Sequence, residues 1–119
     1  MKLRNAVRLY DGMTAEKLNI SRYMTNDNIA LIAYNGERPD METSAVLTVN
    51  IAPLDDDRVI LDSNRTFNVN EVAEDLQKAG ILGKRIGTAW SGYCKYPIYE
   101  FLVPKETIED EMEANLNGR

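Results

Sequence analysis

The sequence predicts an α+β protein in which a curved, mainly antiparallel sheet of six or seven strands packs on one helix, about residues 69–79. Three observations carry this. Short apolar runs recur along the chain and are cut by Asp-Gly, Asn-Gly and Pro turn signals. One segment alone carries a clean apolar stripe at helical spacing. The length, 119 residues, suits one domain that can bury a core without staples. The reading is a single α+β domain over 1–103, followed by an acidic helix or tail over 104–119.

Residues 3–10, LRNAVRLY, alternate apolar and polar positions up to the turn signal Asp11-Gly12. EKLNISRYM places Leu18 and Ile20, with Arg22, on one face, and Lys17, Asn19 and Ser21 on the other. NIALIAY is a continuous apolar run, as expected of a central strand, and it ends at Asn35-Gly36. SAVLTVNI follows, with Leu47, Val49 and Ile51 on one face and Val46, Thr48 and Asn50 on the other. Pro53 and Asp55-Asp56-Asp57 end it, and Arg58 to Asp62 form a short strand.

Val69, Val72, Ala73, Leu76 and Ala79 then make the helical stripe. Asn68 is its N-cap, Glu71 the cap's partner three residues on, and Gly80 its left-handed C-cap. Glu71, Asp75 and Lys78 fall on the opposite, solvent face. KRIGTAW and CKYPIYEFLV read as two strands turning near Ser91-Gly92. Pro104 opens a last helical segment whose stripe is thin: Ile108, Met112 and Leu116.

Composition excludes several chemistries. There is no His, which removes Ser-His-Asp and Cys-His nucleophile pairs and His-ligated metals. The single Cys94 can make no internal disulfide and no cysteine zinc site, and it fits a reducing compartment. No apolar run reaches the ~20 residues of a membrane span, and the N-terminal stretch lacks the pattern of a signal peptide. A cytoplasmic protein without cofactor or metal is expected. The net charge of −5 opposes general binding to phosphate backbones, so nucleic acid is not the expected partner.

Four stretches carry residues that could do chemistry. Cys94 has Lys95 on the opposite side of an extended strand and no base nearby, so it reads as a small buried hydrophobe. GILGKRIGT has the wrong Gly spacing for a phosphate loop and follows a helix instead of a strand. PLDDDR reads as a solvated turn, because consecutive acids cannot all face one cation. Lys2, Arg4, Arg8, Lys84, Arg85 and Lys95 form a basic patch if the first strand lies near the last two.

The segment GTAWSGYCKYPIYEF, Gly87 to Phe101, concentrates Trp90, Tyr93, Tyr96, Tyr99 and Phe101. Tyr99 and Phe101 share one face with Pro97; Tyr96 and Ile98 share the other. One set can enter the core; the other needs cover from the tail, the helix or a partner. Pro97 lacks a ladder donor, which predicts an edge strand and a contact surface, with homo-oligomerisation through that edge as one use of it.

This segment resembles a family of small bacterial proteins that carry a domain of unknown function and occur in Gram-positive genomes, plasmids, conjugative elements and phages. The resemblance covers about 28–103. It rests on Thr48-Val49-Asn50, Asp62-Ser63-Asn64, the Gly80–Lys84 corner and, most specifically, SGYCKYPIYEF. It implies a mobile-element setting and no catalytic residues.

The expected function is a non-enzymatic, protein-binding accessory protein whose contact centres on Trp90, Tyr93, Tyr96 and Tyr99. Its narrower form is an acidic inhibitor of a host defence nuclease. The alternatives are a small enzyme using Asp62, Glu100 and Tyr96, or a weak single-stranded nucleic-acid binder that stacks bases on its aromatics.

Overall fold

A computed structural model describes residues 1–10, 12–37, 39 and 44–117. Asp11, of the first turn signal, lies outside the described residues. The elements run β1 (Lys2–Arg8), β2 (Thr14–Arg22), β3 (Ile29–Tyr34), β4 (Ala45–Val46), β5 (Arg58–Ile60), α1 (Val69–Lys78), β6 (Leu82–Ser91), β7 (Cys94–Phe101) and α2 (Lys105–Asn117).

The α+β class holds, but the strands form two antiparallel sheets, not one of six or seven strands. The first has the order β1-β2-β3-β4, the second β5-β7-β6. The break falls where one long strand was expected over SAVLTVNI. In a regular antiparallel strand, the N–H and C=O of one residue point to the same neighbour. Leu47 departs from this: its N–H donates to Leu31 of β3, while its C=O accepts from Asp62, just past β5. The chain rotates there, and a lone Thr48–Leu61 bridge joins the two sheets. The Thr48 hydroxyl, buried, accepts from the Leu31 N–H at 3.2 Å and pairs with the Tyr23 hydroxyl at 3.0 Å. A side-chain oxygen thus stands in for a missing ladder acceptor.

Helix α1 forms where its stripe and caps place it. Asn68 Oδ1 accepts from the backbone N–H groups of Asn70 and Glu71. At the other end Gly80, φ +79°, donates to the Gln77 carbonyl and Ile81 to the Leu76 carbonyl, the paired bonds of a Schellman cap. The helix packs against β1 and β6, the outer strands of the two sheets. Asp75, expected on its solvent face, is buried there instead, because Arg8 of β1 reaches across to it. Glu71 turns its carboxylate toward the same guanidinium instead of back to the cap.

The main core gathers side chains from both sheets and both helices, with Leu18, Leu31, Leu47, Leu61 and Leu76 among those wholly buried. Helix α2 docks through Ile108 and Met112, and Asn115 Nδ2 donates to the Ile20 carbonyl at 3.1 Å, so it lies over β2. Leu116, the third residue of its thin stripe, stays exposed.

A candidate binding surface on the last hairpin

Strands β6 and β7 form a hairpin closed by Gly92 and Tyr93 between the pair Ser91–Cys94. Gly92 has φ +62° and Tyr93 does not share a positive φ, the pattern of a type II′ turn whose twist matches the strands. At its base the hairpin is held on both faces. Tyr99 and Phe101 enter the main core, and Tyr96 packs with Ile60, Ala89 and Ile98 in a second, smaller core. The division of faces is the one the sequence predicts.

What covers the second face is different from expectation. It is neither α2, α1 nor a partner, but the chain's own segment carrying Val49, Ile51 and Leu54. Nor is β7 an edge strand: it lies between β5 and β6. Pro97 is tolerated because its nitrogen faces β5 at the last rung. Its carbonyl accepts from Leu61, one residue past the end of β5, so the missing donor costs a single bond at the ladder's end.

Of the four aromatic residues singled out by sequence, Tyr96 and Tyr99 are therefore interior and anchor the hairpin. Trp90, 61% exposed, and Tyr93, fully exposed, project at its tip. Trp90 faces Lys95 across the strands, with the ammonium 5.9 Å from the ring centroid. Arg85 donates to the Thr88 hydroxyl at 2.9 Å, and Thr88 pairs with Pro97 as Trp90 pairs with Lys95. One hairpin face thus presents Arg85, Thr88, Trp90 and Lys95 together beyond the core.

Cys94 is exposed, contrary to its reading as a buried hydrophobe. It closes the hairpin turn, past the point where either core reaches. The three residues considered for acid–base work do not converge. Asp62 is buried, accepting from the Asn64 N–H and from Arg65 Nε at 2.8 Å. Tyr96 lies near it, but loss of water around the phenol, then the adjacent Cys94, push its ionisation above the ordinary tyrosine value. Glu100 is four residues along β7 from Tyr96, about 13 Å away, and accepts from the Lys84 N–H.

The predicted basic patch is divided. Arg8 is engaged by Glu71, Glu74 and Asp75, and Arg4 donates to the Ala79 carbonyl at the end of α1. In the Asp55–Asp57 turn, Asp56 holds Arg22 through two bonds of 2.6 and 2.9 Å, so it is less a solvated loop than a tie between β2 and the approach to β5. The one local hint of that pairing is that Arg22 falls on the apolar face of its strand. A cleft of about 320 Å³ lined by Tyr10, Val46, Arg65 and Phe67 lies elsewhere and collects none of the predicted residues. Among the described residues no three acidic or sulfur side chains gather as a metal site would require, and no helix is long and apolar enough to cross a membrane.

These features define a small two-sheet α+β domain with an uncovered aromatic and basic hairpin tip. The chain belongs to the family described as domain of unknown function DUF4313, whose profile matches residues 17–116. That match extends along α2 to Leu116, beyond the span of about 28–103 that the resemblance covers. No curated protein and no solved structure matches the chain.

Proposed function

We propose that this protein acts by binding another protein through the tip of the β6–β7 hairpin, as a non-enzymatic accessory protein of the cytoplasm. The observation that carries this is the exposure of Trp90 and Tyr93 on a hairpin anchored on both faces. Exposed Trp and Tyr on a rigid scaffold lose little entropy on binding and are over-represented among residues that dominate interfaces. The resemblance of SGYCKYPIYEF adds the setting of a mobile element in a Gram-positive host.

Affinity capture from such a host tests the reading. A partner should be retained by the full chain and lost with Trp90→Ala/Tyr93→Ala. Equal capture by both, or none by either, would overturn it.

The outer face of α2 favours a narrower second reading. Glu106, Glu109, Asp110 and Glu113 are exposed there. Such a row could occupy a nucleic-acid channel of a defence nuclease. Binding would then weaken steeply with salt and compete with DNA; salt-independent binding would remove it.

A further inference from the structure

The free edge of β6 supplies a mode of binding and a partner chemistry, and this inference rests on the reading just given. The Lys95 carbonyl accepts from Ser63 Oγ and the Pro97 carbonyl from the Leu61 N–H, so both face away from β6. Their cross-strand partners Trp90 and Thr88 are therefore the non-hydrogen-bonded pairs of the ladder, and turn their own N–H and C=O outward. Among the described residues no other strand lies beyond β6.

The proximal half of this edge is protected in ways that natural sheets use against strand addition. Two register shifts fall between Leu82 and Gly87. Gln77 Nε2 occupies the Gly83 carbonyl at 2.8 Å, and Arg85 folds back onto Gly87 and Thr88. The distal half, Gly87–Ser91, pairs regularly with β7, and apart from the Arg85 side chain at Gly87 and Thr88 it carries no such device among the described residues.

Charge selects the occupant. Residues 84–95 hold Lys84, Arg85 and Lys95 and no acid, against −5 for the whole chain, which leaves −8 on all other residues. Among the described residues none of the three cations is in an ion pair. A second copy laid on this edge would bring like charges together. A nucleic acid would meet repulsion from the acidic remainder.

We propose that the Thr88–Trp90 edge of β6 takes up an extended, acidic peptide segment of a protein partner as an added strand. Its backbone pairs with the outward amides of Thr88 and Trp90, and its alternate carboxylates lie on the face that carries Trp90 and meet Arg85 and Lys95 there.

The test titrates the full-length protein with a blocked nine-residue peptide alternating Glu with Val and Thr, followed by fluorescence anisotropy. Saturable binding is expected. It should weaken tenfold or more with Arg85→Glu and with Thr88→Pro, the latter removing an outward N–H without breaking a ladder bond. Circular dichroism establishes that both variants are folded. Alternate N-methylation of the peptide should abolish binding, and Lys in place of Glu should weaken it at least as much as Arg85→Glu.

Equal binding of the N-methylated or Lys peptide overturns the proposal, as does preference for oligothymidylate. So does self-association that excludes the peptide. If the acidic peptide fails to bind up to millimolar concentration while Trp90- and Tyr93-dependent capture persists, strand addition is wrong and the hairpin-tip reading stands. Loss of that dependence removes both.

Discussion

Asp75 sits on the face of α1 that meets β1, 4% exposed, with Arg8 donating from Nε, Nη2 and its backbone N–H at 2.8–3.1 Å. Burial pushes the Asp75 carboxyl up, but the hydrogen bonds and charge of Arg8 together outweigh it and hold it below the ordinary carboxylate value. A depressed folded pKa stabilises the fold above the unfolded value, near pH 4, and that contribution disappears as pH falls through the depressed value. Asp75→Asn should therefore cost about 1–3 kcal/mol at pH 7, with the gap to wild type narrowing in urea melts as pH falls below about 4. Asp56, held down mainly by its hydrogen bonds to Arg22, adds acid sensitivity of the same sign. The sequence placed Asp75 in solvent because helical periodicity ranks residues on one helix and is blind to a guanidinium arriving from a strand 67 positions earlier. Cys94 went wrong for a related reason. Neighbouring aromatics implied burial, yet the turn carries the thiol past both cores. A thiol reagent should modify Cys94 fully in the native protein, and Cys94→Ser should change stability by less than about 0.5 kcal/mol.

Among the elements, α1 was the most legible. Its stripe, N-cap and C-cap are local signals; Asn68 and Gly80 make the capping bonds they predict, while Glu71, the cap's expected partner, turns to Arg8. Gly80 illustrates how local the control is. Its φ of +79° strains any residue with a Cβ, and that Cβ would also lie 2.6 Å from Nη2 of Arg4. The guanidinium can swing aside, at the expense of its bond to Ala79. Gly80→Ala should lower stability by about 1–2 kcal/mol, measured as a shift of the denaturant midpoint with unchanged slope. The hairpin was legible in part. Alternation divided Tyr96 and Tyr99 correctly between faces, and Ser91-Gly92 marked the turn. Which strand became the edge was not legible. Pro97 weakens only the side of β7 its nitrogen faces, and that side depends on where β5 stops.

Across the whole molecule, the segment around Thr48 decides the architecture. Its backbone changes neighbours at Leu47, and the buried Thr48 hydroxyl completes the joint between the two sheets. Thr48→Val keeps the shape but leaves the Leu31 N–H without its acceptor. It should cost about 1–3 kcal/mol while far-UV circular dichroism still reports one cooperative transition. A neutral Thr48→Val would show that the hydroxyl does not hold the joint. By itself the sequence determined the α+β class, the capped helix, the two faces of the last hairpin and the exclusion of histidine-based chemistry, because periodicity, turn residues and composition act over a few residues. Only the tertiary structure decided that the strands divide into two sheets, that a loop covers Tyr96, and that Trp90, Tyr93 and the β6 edge remain open. Those outcomes depend on contacts between segments distant in the chain, and no local pattern encodes which of two similar apolar faces another segment reaches first.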